Sequence, residues 1–116
     1  MPEASIALSI IDIVQAKCME EGLSSVESIR LRIGRAAGIL PEALVFAFDA
    51  SKDTTVAKNA KLVIETVPVG GICKECKKEF EAPDNAQYVL SCPHCGSTSY
   101  EITKGREMEI LDMETN

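Results

Sequence analysis

Four cysteines stand as two CxxC pairs, Cys73 with Cys76 and Cys92 with Cys95, and residues 77–91 separate the pairs. Two residues between paired cysteines let a tight turn bring both sulfurs to one side of the backbone, and a hairpin between the pairs folds one turn onto the other. That spacing predicts a four-thiolate site, a tetrahedron that zinc accepts at about 2.3 Å. With sulfur at all four corners no position remains for water or substrate, so such a zinc is expected to be structural rather than catalytic. The competing reading is two disulfides. Nothing from Met1 to Glu21 has the basic leader and cleavage site of a secretory signal, and a reducing cytoplasm would keep the thiols free for metal. Lys74, Lys77 and Lys78 either offset the negative charge of a four-thiolate zinc or form a solvated basic edge.

Two other chemistries share these residue types. The second pair reads Cys-Pro-His-Cys, an order also used by thioredoxin-like oxidants, but that chemistry needs the first cysteine at a helix N-terminus. Gly96-Ser97-Thr98-Ser99 follows instead, which is turn chemistry. Haem attachment needs a histidine after the pair, and His94 lies inside it; it is expected to be an exposed turn residue or a donor beside the sulfurs. The fifth cysteine, Cys18, continues an apolar stripe and reads as a small core residue.

The chain that carries this site has 116 residues, 46% of them hydrophobic, enough for one modest core plus a metal-held appendage. Eighteen acidic against twelve basic residues give a net charge of −6, with two Tyr, three Phe and no Trp. Such a chain lacks the basic surface for phosphates and the aromatic faces for bases, so no nucleic-acid partner is expected. No apolar run approaches the ~20 residues of a membrane span, so no membrane partner is expected and the cytoplasm is the default location.

The elements that must position the cysteines read as follows. Ile6, Ile10, Ile13, Val14 and Cys18 recur at three- and four-residue steps, predicting a helix from Ser5 to Glu21 that Gly22 ends. Ile29, Leu31 and Ile33 alternate with Ser28, Arg30 and Arg32 as a half-buried strand. Gly34 to Leu40 is a loop. Pro41 suits a first helical position, and a short helix to about Ala50 should bury Leu44, Val45 and Phe48, with Phe46 also read as core. Lys61 to Val67 is a second strand closed by Pro68. Gly70-Gly71 marks a joint, after which about thirty residues are too few to fold without metal. Beyond Gly105 alternation returns over Glu107 to Leu111, with Met108 and Ile110 on one face. That strand is expected to rejoin the first sheet. The fold class is therefore α+β: a small three-stranded sheet with two helices, plus an inserted zinc-ribbon lobe. The lobes are expected at 1–70 with 105–116, and at 71–104.

Taken in order, Glu3-Ala4-Ser5-Ile6-Ala7, Arg30-Leu31-Arg32-Ile33-Gly34, Leu40-Pro41-Glu42-Ala43-Leu44 with Phe46-Ala47-Phe48, the two CxxC pairs and Gly105-Arg106-Glu107-Met108 strongly resemble the HypA/HybF family. These are the nickel metallochaperones of nickel-iron hydrogenase maturation, and the likeness covers nearly the whole chain. The resemblance implies a nickel-binding α+β lobe, structural zinc, nickel as transient cargo, a GTPase partner HypB and delivery to the hydrogenase large subunit. Some members also serve urease, and members assist insertion rather than catalyse a reaction. A monomer or weak homodimer is expected.

The family begins Met-His-Glu and binds nickel through that histidine with the N-terminal amine, nearby backbone nitrogens and acidic side chains. Here the opening residues are Met1, Pro2 and Glu3, and only Glu3 carries over among the side chains. Proline has no imidazole and, after Met1, no N–H to give up to a square-planar metal. An acidic residue often found after the Ile-Gly pair is also missing, with Arg35 and Leu40 in its place. The expectation is a nickel chaperone with a weakened or rebuilt site, or one whose position 2 was changed; the alternative is a zinc-ribbon interaction module that has lost nickel.

Overall fold

The computed structural model describes residues 3–83, 86 and 88–115, and the statements below concern those residues. Helix α1 runs Glu3–Glu21 and buries Ile6, Ala7, Ile10, Ile11, Val14 and Cys18 along one stripe. The chain turns at Gly22, and the Leu23 N–H donates to the Cys18 carbonyl at 2.8 Å. Strand β1 spans Val26–Gly34 with Ile29, Leu31 and Ile33 buried. A short 3-10 turn, Arg35–Ala37, occupies part of the expected loop. Helix α2 spans Pro41–Ser51 with Pro41 in its first turn. Strand β2 is Lys61–Val67. Strands β3 (Gly70–Cys73), β4 (Glu79–Glu81) and β5 (Tyr100–Lys104) follow, and β6 spans Met108–Thr115.

Two three-stranded sheets result among the described residues, one ordered β2-β1-β6 and one β4-β3-β5. The strand after the cysteine-bearing segment thus returns to lie beside β1, as its apolar residues predict, and the α+β fold class with its ribbon-like lobe is that of the structure. Contacts divide the chain into two compact units. The first holds 1–31, 39–65 and 109–116, with α1, α2 and most of the β2-β1-β6 sheet. Its core is α1's apolar stripe with Leu31, Leu44, Phe48 and Leu62. The second holds 32–38 and 66–108. There β3 is the central strand, pairing antiparallel with β4 (Gly71 opposite Phe80) and with β5 (Ile72 opposite Glu101).

Four expectations need correction. Ile13 is 57% exposed, because the stripe that faces the core runs through Ala7, Ile11 and Val14 and leaves Ile13 on its margin. Phe46 is 77% exposed: α2 buries Leu44 and Phe48, four residues apart on one face, and Phe46 lies between them on the other. Gly70 and Gly71 are not a joint but the start of β3; a methyl group on Gly71 would lie 2.3 Å from the Glu101 carbonyl oxygen, so glycine is there for the closeness of β5. Strict alternation also fails in β6, where Ile110 and Leu111 are both half-buried.

Candidate metal centre

The two CxxC segments fold as the same turn twice. In the first, at the end of β3, the Lys77 N–H donates to the Cys73 carbonyl (3.1 Å) and the Cys73 N–H to the Lys78 carbonyl (3.0 Å). In the second, the Gly96 N–H donates to the Cys92 carbonyl (2.8 Å) and the Cys92 N–H to the Ser97 carbonyl (2.8 Å). Each turn closes through a residue in the left-handed region, Gly96 at φ +80° and Lys77 at +64°. Gly96 is the residue type such a position favours; Lys77 gave no signal in the sequence. Each turn also aims a backbone N–H at the first sulfur of its pair: Cys76 N–H to Cys73 Sγ and His94 N–H to Cys92 Sγ, both at 3.4 Å.

All four predicted sulfurs converge. Cys73, Cys76, Cys92 and Cys95 place their Sγ atoms within 4.8 Å of one another. Across the pairs, Cys73 and Cys95 approach to 3.5 Å and Cys76 and Cys92 to 3.8 Å. A tetrahedral zinc bound by four thiolates has sulfurs about 3.8 Å apart, so the spacing fits. A disulfide needs about 2.05 Å, and all five cysteines are free thiols. Phe80 and Tyr100 shelter the sulfurs, their rings meeting edge to face at 5.7 Å, and the Tyr100 hydroxyl donates to the Val89 carbonyl.

The thiols are electrostatically unequal. The Cys76 N–H, aimed at its sulfur, pulls the Cys73 thiol down to about 6 against the opposing effect of burial, with the Glu75 N–H assisting. At Cys95 the Ser97 N–H pulls down, but hydrogen bonding with Cys73, burial and the other two sulfurs outweigh it and push the thiol up to about 12. The Cys73 thiolate is thus favoured and that of Cys95 disfavoured while no cation is bound, and a metal would favour the thiolate form.

His94 is exposed, and its Nε2 lies 3.1 Å from the Glu79 carbonyl oxygen, so its backbone rather than its ring serves the sulfurs. Cys18 is fully buried in α1's stripe, as a core residue should be. Met1 and Pro2, named for nickel, lie outside the described residues. Glu3 is half-buried in the first turn of α1, and its Oε1 accepts the Leu40 N–H at 3.3 Å. Leu40 begins α2 without a side-chain cap of its own. Glu3 therefore places its charge at the amino ends of both helices, where backbone N–H groups favour an anion. The sequence did not signal this role.

Four convergent cysteines on twin turns and a two-helix sheet define a small α+β protein with a zinc-ribbon-type centre. Comparison with known proteins makes the class specific. The family model for hydrogenase/urease nickel incorporation, metallochaperone, HypA, matches residues 1–115. The hydrogenase maturation factor HypA of Chloroflexus aggregans is 39% identical over 115 residues, 99% of both chains. That of Chlorobium luteolum is 44% identical over 110 residues, covering 95% of this chain and 92% of the other. The solution structure of the Ni metallochaperone HypA from Helicobacter pylori superposes with a TM-score of 0.67 at 28% identity, covering 99% of this chain and 97% of that one. The chain belongs to the HypA family.

Proposed function

We propose that this chain is an accessory protein of nickel-iron hydrogenase maturation that carries nickel as transient cargo and holds one structural zinc through Cys73, Cys76, Cys92 and Cys95. The observation that carries the reading is the union of a whole-chain HypA match with a four-sulfur cluster of zinc dimensions. Bound zinc would cross-link the twin turns and stabilise the lobe; with sulfur at every corner it would not activate water. The chain acts in the cytoplasm without catalysing a reaction, and its partners are the GTPase HypB and the hydrogenase large subunit. The expected lobes, 1–70 with 105–116 for nickel and 71–104 for zinc, keep these roles, with the bounds of the second compact unit, 66–108 with 32–38, lying outside those of the zinc lobe.

Nickel is expected at the amino terminus through Met1, Pro2 and Glu3, and weakly. Pro2 supplies neither imidazole nor an amide proton, and a carboxylate alone is a poor substitute in a nitrogen-rich site. The same residue favours the second reading, an interaction module that keeps zinc and has lost nickel. Calorimetry with nickel on the zinc-loaded protein decides, with Pro2→His alongside. The proposal expects measurable binding by the native chain and about tenfold or more tighter binding by the variant, a gain of ~1.4 kcal/mol or more. No heat from the native chain would favour the second reading. Equal affinities would mean that position 2 is not where nickel is held.

A further inference from the structure

The geometry points to the free edge of β6 as a docking groove for a basic, extended segment of another protein, held by strand addition. In the order β2-β1-β6 the last strand lies at the edge, where an eight-residue strand offers a row of backbone N–H and C=O groups. Edge strands are commonly blunted by charged side chains or proline. The opposite edge, β2, begins with Lys61 and is followed by Pro68, whereas the charges of Met108–Thr115 are all acidic, which deters an acidic strand and admits a basic one.

Beside that edge runs a groove of about 670 Å³ between β6 and the carboxyl half of α1. Ile13 and Leu23 line it from one side and Ile110 and Met113 from the other. Ile13 is the helix residue that stands outside the core stripe, 57% exposed, and here its apolar surface has a use. Strand addition requires this pairing of features: main-chain groups for affinity, and apolar pockets beside them for alternate side chains.

Charge selects the occupant. Glu20, Glu21 and Asp112 rim the groove against Lys17 alone. Asp112 is already held by Arg30, but Glu114 adds a further carboxylate on the strand. Met108–Thr115 carries no basic side chain, so a second copy paired on β6 would bring no cation of its own to Glu114. A strand alternating basic and apolar residues meets the opposite field and fills the groove. The inference is independent of the metal reading, since the groove and the sulfurs share no residue.

The test uses the full isotope-labelled chain and a synthetic peptide alternating Lys and Val, with Glu-Val and Lys-Ser peptides as controls. The Lys-Val peptide should slow amide exchange within 108–115, shift amides of 13–23, and bind more weakly as salt is raised. Ile13→Lys should weaken it about tenfold or more, and Glu20→Lys with Glu21→Lys similarly. Both changes fall on accessible positions, and helix content by circular dichroism checks that each variant folds. Protection by Lys-Ser equal to that by Lys-Val would reduce the effect to surface charge and overturn the proposal. Equal binding of Glu-Val, protection elsewhere or nowhere, unchanged affinity in both variants, or a peptide-free dimer that protects 108–115 would overturn it too.

Discussion

Replacing Cys92 by serine tests the metal centre where it is most exposed to failure. The change removes one of four sulfurs, the 3.8 Å contact with Cys76 and the acceptor of the His94 N–H. What would remain to hold the segment is slight. Its buried cluster consists of Cys73, Phe80 and Cys92, with Cys76, Val89 and Tyr100 only partly buried against it. Burying Phe80 is worth about 1.5–3 kcal/mol. Its edge-to-face contact with Tyr100 adds about 0.5–1.5 kcal/mol. Structural zinc, at about 10–16 kcal/mol apparent, exceeds both together. Loss of the metal should therefore melt the segment rather than loosen it. Elemental analysis should show one zinc per chain in the native protein, falling toward zero in Cys92→Ser after dialysis against a chelator. Hydrogen exchange should become fast through 71–104 while α1 stays protected. Cys18→Ala is the control, since Cys18 is buried in α1's stripe and is not one of the four convergent sulfurs, so its loss should leave zinc in place. Unchanged zinc in Cys92→Ser, or retained protection of β3 and β5 without metal, would refute the reasoning.

Other perturbations test packing and charge elsewhere in the chain. Phe48→Ala should cost about 3–5 kcal/mol in denaturant unfolding, whereas Phe46→Ala should stay within about 0.5 kcal/mol, since Phe48 is buried and Phe46 is 77% exposed. Gly34→Ala would place a methyl 2.0 Å from the Gly105 carbonyl carbon and oxygen. It should destabilise by about 3 kcal/mol and disturb the Ala36 N–H bond to the Gly105 carbonyl, read by exchange at Ala36. The Arg30 guanidinium, through its hydrogen bonds, holds the Asp112 carboxyl below its ordinary range. The stabilising contribution is thus present above that range and lost as pH falls through the depressed value. Carboxyl titration by NMR should show Asp112 returning to its ordinary range in Arg30→Gln; no change would mean the pair does not form in solution.

The cysteine centre was legible because its chemistry is local: two residues between ligands set each turn, and the sulfurs then had few places to go. The long elements were legible for a related reason. Ile29, Leu31 and Ile33 alternate, and Ile6, Ile10, Val14 and Cys18 repeat at helical steps, so period alone separates strand from helix. Periodicity does not say which neighbour of a buried residue turns outward, which is why Ile13 and Phe46 were misplaced. Ile13 lies at the margin of α1's buried stripe, and Phe46 lies on the face of α2 opposite Leu44 and Phe48, so apolar type alone misled at both. Gly71 failed for a different reason: a glycine that marks a joint and a glycine beneath a neighbouring strand look alike until the Glu101 carbonyl is seen.

Glu3 shows how far a residue-by-residue transfer from relatives can reach. The resemblance implies a nickel role for that position, and here its carboxylate accepts the N–H of Leu40, the residue that opens α2. The two roles need not conflict. A carboxylate held by one oxygen keeps the other for a cation, and anchoring between two helices would fix its direction. Proline at position 2 lacks both an imidazole and, after Met1, a backbone N–H to give up to a square-planar metal. A histidine there would supply both together. The calorimetric comparison of Pro2→His therefore measures both effects, and a third chain with Pro2→Ala separates them, since alanine restores the backbone N–H without the imidazole. If Pro2→Ala recovers most of the gain, backbone nitrogen governs nickel affinity; if it recovers little, the missing imidazole does.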